Sequence, residues 1–216
     1  MLIVPILAGI FGGKSSAGIL LPMLSMADVF AVSYYHRHAE WKYVLKLLPS
    51  TVVGVLIGLV IGNMVNDQQF KEMMAVIILV GLAIMIWREK NKSGGSIPHN
   101  WAFSSVVGLL AGFSTMIGNA AGPVMAIYLL SMNLPKNSFI GTGAWFFLII
   151  NLFKIPFHVM VWETITLRTF ALDVTMLPAI MIGAYLGIIL VKIIPEKPYR
   201  IFIIITTAIA ALRLFF

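Results

Sequence analysis

Two stretches of this chain repeat each other, and both are long and apolar. Residues 41–87 recur without a gap 129 positions later, as residues 170–216. The matching positions carry prolines, glycines, aromatic rings and a basic residue: Pro49 with Pro178, Gly54 with Gly183, Gly58 with Gly187, Phe70 with Tyr199, Lys71 with Arg200, and Trp87 with Phe216. Two related membrane-embedded halves in one chain are typical of secondary transporters, whose binding site lies where the halves meet.

The composition places the chain in a lipid bilayer. Its 216 residues are 60% hydrophobic and only 11% charged, whereas a soluble domain has about 25% charged residues. We therefore predict an all-α integral membrane protein. The absence of cysteine excludes disulfides, thiol catalysis and thiolate metal sites. The net charge of +7 comes largely from basic residues in short loops, where they act as topology signals, so we do not expect nucleic-acid binding.

Hydropathy divides the chain into about seven to eight helical segments. They are predicted at 1–12, 15–35, 43–64, 70–87, 101–131, 138–161, 170–192 and 199–216. The polar stretch 88–100, with several basic residues, two glycines and a proline, reads as a cytoplasmic linker. The predicted organisation is a first transmembrane repeat at 1–87, this linker, and a second repeat at 101–216.

Segment 101–131 is too long for one straight span, and residues 114–123 interrupt it. It is either one broken span or a re-entrant hairpin that returns to the side it entered from. A broken span divides the loop lysines and arginines seven to six, whereas a hairpin divides them ten to three. The positive-inside rule favours the hairpin. In the hairpin arrangement, each half crosses the membrane three times. We therefore predict two inverted halves with the basic side cytoplasmic.

Other positions of the two halves align in blocks, with loops of different length between them. The matching residues are Pro5 with Pro123, Gly18 with Gly141, and Asp28 with Asn151. Nothing in the first half corresponds to residues 108–122, so its N-terminal arm is predicted to be missing. Either the half is naturally abbreviated, or the sequence is a fragment or has a late start site.

The interruption is the first candidate binding site. Non-helical backbone at membrane depth survives only inside protein or beside a water-filled cavity. Asn119 can cap a helix and Pro123 suits a first helical turn, so exposed N–H groups there would bind an anion. The alternative is a glycine-rich packing kink. The residues assigned to this anion site are Ser114, Thr115, Gly118, Asn119, Ala120, Gly122 and Pro123.

Polar residues in the middle of other spans are the second group of candidates. Asp28 and Asn151 occupy equivalent positions, and Asp28 could carry a coupling proton or form an ion pair. Lys154 lies on the face of Asn151 and could neutralise an anionic substrate or pair with Asp28. The alternatives are structural hydrogen bonds for Asp28 and snorkelling for Lys154. Thr142 sits between two glycines that indicate close packing, and it could also line the path.

No catalytic pattern is present. The sequence has no nucleophile elbow, no HExxH and no phosphate loop, so we expect neither an enzyme nor a cofactor. His158 is near a span end, and no carboxylate–histidine spacing indicates a metal site.

The run GLLAGFSTMIGNAAGPVMAIYLLSMNLPKNSFIGTGAWFFLIINLFKIPFH resembles the second half of the sulfite exporter TauE/SafE family, also called the 4-toluene sulfonate uptake permease family. GILLPMLSMADVFAVSYYHRHAEWKYVLKLLPSTVVGVLIG is similar to the corresponding stretch of its first half. The resemblance implies a multi-pass protein of the plasma, or inner, membrane that moves sulfite, sulfonates, sulfoacetate or related anions. By position, it implies roles for the 114–123 break, Asn151 and Lys154.

The expected function is therefore a secondary transporter that binds a small anion at half-helix N-termini near the bilayer midplane. The alternatives are a passive anion channel and a non-transporting membrane scaffold with a vestigial site. Since the first-half arm is missing, transport by one chain would be in doubt unless a second copy in a homo-oligomer supplied it. The expected partners are the lipid bilayer and the anion.

Overall fold

The structure is a computed structural model that describes residues 3–90, 101–132 and 134–193, with single positions 205 and 209. The regular elements in these ranges are helices, which fits a chain whose backbone must satisfy its own hydrogen bonds in lipid. The α-helices are α1 (Ile3–Phe11), α2 (Gly13–Tyr35), α3 (Trp41–Met64), α4 (Asp67–Lys90), α5 (Trp101–Gly118), α6 (Gly122–Ser131), α7 (Lys136–Met160), α8 (Leu167–Thr175) and α9 (Leu177–Ile193).

The number of spans is lower than the seven to eight predicted segments. Within the described residues, α2, α3, α5 and α7 are each long and apolar enough to cross a membrane, and α8 with α9, bent by 45°, would be a fifth. The segment predicted at 1–12 is the nine-residue α1, about 13 Å long and too short to span. Except for Ile205 and Ile209, the segment predicted at 199–216 lies outside the described residues.

Helices α2 and α7 pack side by side and run in opposite directions. Gly18, near the start of α2, lies so close to Thr164, just beyond the end of α7, that an added Cβ would overlap it. Gly141, near the start of α7, also packs closely, and a Cβ there would lie 2.7 Å from the carbonyl oxygen of Tyr35 at the end of α2. Small residues at both ends let the two backbones approach. Since α2 and α7 are the equivalent helices of the two halves, their antiparallel packing makes the halves inverted.

The middle of this helix pair lies on an approximate two-fold axis. Asn151 Nδ2 donates a hydrogen bond of 2.7 Å to Asp28 Oδ2. These two residues hold equivalent positions in the sequence repeat, and equivalent residues touch each other only where a two-fold axis passes between them. The axis is perpendicular to the antiparallel helices, as expected for inverted repeats in a membrane.

Helices α3 and α5, by contrast, are parallel and in backbone contact. A Cβ at Gly108 would lie 2.9 Å from the carbonyl oxygen of Leu47, and one at Gly58, farther along α3, would lie 2.9 Å from Met116 Cβ. A Cβ at Gly112 would overlap the backbone of α3. Both helices therefore start at the same end of the molecule. We call this the basic end, because Arg37 lies in the connection that leads into α3.

Helix α6 returns to the basic end, so α5 and α6 form a re-entrant hairpin. Tyr128, near the end of α6, stacks on Phe103 near the start of α5, with ring centroids 6.2 Å apart. It also meets Tyr43 near the start of α3, at 6.3 Å. Helix α7 then starts at the basic end, as its Gly141 contact with α2 requires. The hairpin predicted from loop charges is thus present, with its tip between Gly118 and Gly122.

Candidate functional site

The hairpin tip begins where α5 ends in a left-handed turn. Asn119 has a φ of 50°, a conformation that asparagine tolerates better than most residues. The N–H groups of Asn119 and Ala120 donate back to the carbonyl oxygens of Thr115 and Ser114, at 3.0 and 3.2 Å. Asn119 therefore terminates α5 and does not cap α6. The N-terminal cap of α6 is Ala121, whose carbonyl accepts the first helical bond, from Met125 N–H.

Lys154 reaches the hairpin tip from the middle of α7 and is fully buried. Its Nζ donates to Asn119 Oδ1 at 2.7 Å, to Thr115 Oγ1 at 2.9 Å and to the Thr115 carbonyl oxygen at 3.0 Å. An ammonium group carries three hydrogens, so all its donors have partners. The positive charge also lies at the C-terminal, negative end of the α5 dipole. The position of Lys154 is therefore fixed by the end of α5, and the lysine does not snorkel to the interface.

The tip is also fastened to α2, through the other atom of the same amide. Asn119 Nδ2 donates to the carbonyl oxygen of Ala17, at 3.0 Å. Asn119 thus accepts from α7 and donates to α2, the two helices that form the inverted pair. The hairpin tip is consequently held where the two halves meet.

Asp28 and Lys154 do not form an ion pair. The described residues contain two pairs within 4.0 Å, Lys42 with Glu40 and Lys71 with Asp67, and neither involves Lys154. The Asp28 carboxylate instead accepts from Asn151, three residues before Lys154 on the same face of α7. The sequence left several roles open for Asp28, one of which was a structural hydrogen bond. The observed contact is such a bond, and it crosses the two-fold axis. The buried ammonium is left without a carboxylate in direct contact.

The start of α6 presents N–H groups that no described residue engages. Gly122 and Val124 lie in the first turn of this ten-residue helix, and within the described part of the chain neither N–H donates to another group. Pro123 between them has no N–H to satisfy, as suits a first turn. Gly122 is exposed, and it also lines an apolar groove of about 240 Å³ between α6 and α7. The first turn of α6 is thus open to a ligand.

The structure brings most of the predicted site residues together and separates one of them. Ser114, Thr115, Gly118, Asn119, Ala120, Gly122 and Pro123 form the tip or flank it, while Lys154, Asn151 and Asp28 follow along the α2–α7 contact. Thr142 lies instead near the basic end. Its Oγ1 accepts from the N–H of Glu40 at 3.0 Å, and it is fully buried between α7 and the α2–α3 connection. Its surroundings are those of a packing residue.

Sequence reasoning missed a polar cluster at the other end of α7. His158 is fully buried, and its Nδ1 lies 2.8 Å from Thr164 Oγ1. The buried indole of Trp162 makes an edge contact with the imidazole, with centroids 4.9 Å apart. The spacing of Asn151, Lys154 and His158 could have placed the histidine on the same helical face, but His158 was considered from the sequence only as a metal ligand.

Comparison with known proteins gives the family. The sequence model of the sulfite exporter TauE/SafE family matches residues 1–214 of the 216. The chain belongs to the TauE/SafE family. A search of curated proteins and a search of solved structures each gave no match. The resemblance recognised in the sequence is therefore confirmed over nearly the whole chain.

Membership in the TauE/SafE family agrees with the architecture. The family is one of membrane transporters, named for sulfite export. Several apolar helices long enough to cross a bilayer, in two inverted halves, make this member a multi-pass membrane protein. Among the described residues, no group of three or more metal-ligating side chains is close enough to hold a metal ion.

Proposed function

We propose that this chain is a secondary transporter of small sulfur-containing anions, such as sulfite, sulfonates, sulfoacetate or thiosulfate. The observation that carries the proposal is Lys154, a fully buried ammonium at a helix break, with no carboxylate within 4.0 Å in the described part of the chain. A charge buried in a membrane costs at least a few kcal/mol, and residues that carry one often mark substrate paths. The positive potential of Lys154 favours an anion at the tip.

Two features beside Lys154 support an oxyanion as the ligand. The first turn of α6 offers N–H groups without partners, in the arrangement by which helix N-termini bind phosphate and sulfate. The hydroxyl of Thr115, which now accepts from Lys154, adds a donor to the same tip. A small anion with several oxygens matches several donors at once, and the family name points to sulfur oxyanions.

The hydrogen bonds of Lys154 also suggest how binding is linked to movement. All three ammonium hydrogens are used by Thr115 and Asn119, so an anion can bind Lys154 only by taking over at least one of them. Thr115 or Asn119 would then lose a bond that links the end of α5 to α7. Anion binding and rearrangement of the hairpin tip are thus one event in this proposal. A ligand shifts a conformational equilibrium only through such differential contacts.

The test is a thermal-shift screen of the purified protein with sulfite, thiosulfate, sulfoacetate, taurine and sulfate. A ligand at 100 times its Kd adds about 2.7 kcal/mol to stability. We expect a shift with at least one of these anions, and its loss in Lys154→Met, which keeps the length of the side chain and removes the charge. Lys42→Met is the matched control, since that lysine side chain is 68% exposed at the start of α3 and far from the tip.

Transport in proteoliposomes then separates a transporter from a passive channel. A secondary transporter accumulates the labelled anion against its gradient when a coupling gradient is imposed, whereas a channel only equilibrates it. If no anion shifts the melting of a folded protein, or if Lys154→Met keeps full affinity, the proposed site is wrong. Binding without any flux would favour the scaffold with a vestigial site.

A further inference from the structure

A row of polar groups continues along α7 beyond Lys154, towards the end of the molecule opposite the basic end. Asn151, Lys154 and His158 follow one another at helical spacing, and Trp162 comes just after the helix. Three of the four carry a buried polar atom without a hydrogen-bond partner: Asn151 Oδ1, His158 Nε2 and Trp162 Nε1. Since buried polar atoms in folded proteins are nearly always paired, such a row needs an explanation.

His158 is oriented by its other nitrogen. Its Nδ1 lies 2.8 Å from the hydroxyl oxygen of Thr164, and the ring has no exposed surface. Thr164 Oγ1 also lies 3.4 Å from the His158 carbonyl oxygen, but Nδ1 is the nearer acceptor. We therefore assign the hydroxyl hydrogen to the bond with Nδ1, which keeps the imidazole hydrogen on Nε2. Nε2 is then a buried donor without an acceptor. Leaving such a group unpaired costs about 1–3 kcal/mol, unless a ligand or water accepts from it.

Trp162 sits beside this donor, under a cation from α2. Its ring makes an edge contact with Phe70 of α4 at 5.5 Å, and a Cβ at Gly62 of α3 would overlap the indole. Lys14 Nζ lies over the indole, 5.9 Å from the ring centroid. The Phe70 ring, the Gly62 backbone and the Lys14 side chain surround the indole, so its N–H, like the imidazole, is held in place. The carboxylate of Asp67, close by, is already engaged by Gly13 N–H and by Lys71.

We propose that His158 Nε2–H and Trp162 Nε1–H, with Lys14 above them, form a second anion-binding site. We call it the His158–Trp162 site. It rests on the proposed transport function, and it would take the same small oxyanions as they pass between Lys154 and the end opposite the basic end. The two rings supply neutral donors, and Lys14 supplies the charge that attracts the anion from outside.

The chemistry of this site suits release. Neutral N–H donors bind an anion less tightly than an ammonium does. Along α7, His158 lies four residues, about 6 Å, beyond Lys154, a distance that a small anion can cover in one step. A path works when binding is strong enough for the ion to enter and weak enough for it to leave, and several sites in a row meet that need.

Anion titrations of the purified protein, followed by tryptophan emission, test this site. The probes are sulfite and thiosulfate, with nitrate as an anion outside the proposed substrate class. Subtracting the signal of Trp162→Phe from that of the wild type isolates Trp162. We expect a saturable Trp162 response that weakens about tenfold in affinity in His158→Asn, which keeps a polar group only near the Nδ1 position. His158→Gln, with an amide near the Nε2 position, should restore it.

Trp145→Phe is the matched control, because it deletes a buried indole N–H, likewise without a partner in the described residues, in the half of α7 nearer the basic end. It should leave the Trp162 response unchanged. A linear, unsaturable response, or equal affinities in His158→Asn and His158→Gln with unchanged melting temperatures, overturns the inference. If Lys154-dependent thermal shifts persist in that case, the proposed function stands without this site. A saturable response to nitrate alone would support the site and contradict the sulfur-anion substrate.

Discussion

At the scale of single residues, a small set of side chains determines how the two halves meet. Asn119 accepts from Lys154 and donates to Ala17, and Asn151 donates to Asp28. The sequence indicated these polar residues because each lies in an apolar segment, where an ionisable or amide group is costly. Their partners could not be predicted, because they depend on the distance between α2, α5 and α7. The same limit explains why Thr142 was grouped with a site that it does not adjoin.

The Asp28–Asn151 bond gives a prediction that depends on the two-fold axis. Asn151→Asp places two carboxylates in contact, which should destabilise the protein by roughly 1–3 kcal/mol. Combining it with Asp28→Asn exchanges the two side chains across the axis and restores one amide–carboxylate pair. We expect the double variant to regain most of the lost stability, measured by thermal or denaturant unfolding in detergent. Additive losses in the double variant would show that the two positions are not equivalent.

At the scale of elements, glycines decide which helices pair closely. Gly54, Gly108 and Gly112 bring α3 and α5 into backbone contact, and Gly18 and Gly141 do the same for α2 and α7. In a bilayer, small residues allow the close van der Waals packing on which helix association depends. The sequence showed these glycines, and the repeat showed that some recur. It did not show which helices they bring together, because glycine at a helix surface fits many partners.

The α3–α5 contact predicts a large effect from one methyl group. In Gly112→Ala, the new Cβ would overlap the carbonyl oxygen of Thr51. A side chain could relieve such an overlap by changing its rotamer, but a backbone atom cannot. We expect a loss of about 1–3 kcal/mol in unfolding free energy, together with loss of anion binding at the hairpin tip.

Gly183→Ala is the control for that substitution. Nothing lies within 4 Å of a Cβ at Gly183 in α9, so alanine should be neutral or slightly stabilising there. If both variants unfold at the wild-type temperature, the close contact of α3 and α5 is wrong.

At the scale of the whole molecule, the repeat and the loop charges predicted the architecture well. Segment positions, the interruption near residue 119 and the re-entrant hairpin all followed from hydropathy and from counting lysines and arginines. The number of spans was not predicted correctly. Helix α1 is only nine apolar residues long, and hydropathy cannot distinguish such a helix from part of one that crosses the membrane. The alignment of the two halves paired Asp28 with Asn151. Only the coordinates show that these equivalent residues touch and that a two-fold axis passes between them.

Topology can be tested with single cysteines, since the chain has none of its own. Trp101 and Asn137 are exposed and flank the hairpin, and Gln68 and Glu163 are exposed at the opposite end. In sealed cells, an impermeant maleimide should label Gln68→Cys and Glu163→Cys, and should label Trp101→Cys and Asn137→Cys only after permeabilisation. Labelling of Trp101→Cys and Asn137→Cys from opposite sides would mean that α5 and α6 form one broken crossing.

The parallel contact of α3 with α5 has a mechanical consequence. Helix α5 belongs to the second half of the sequence, but its backbone is wedged against the first half along most of its length. A hinge at the 88–100 linker could not move the two halves apart without separating α3 from α5. We therefore expect that the unit that moves during transport is not a sequence half. We expect α3 and α5 to act as a common frame, past which α6 and the α2–α7 pair shift. The boundary of motion would then cut across the boundary between the two sequence repeats.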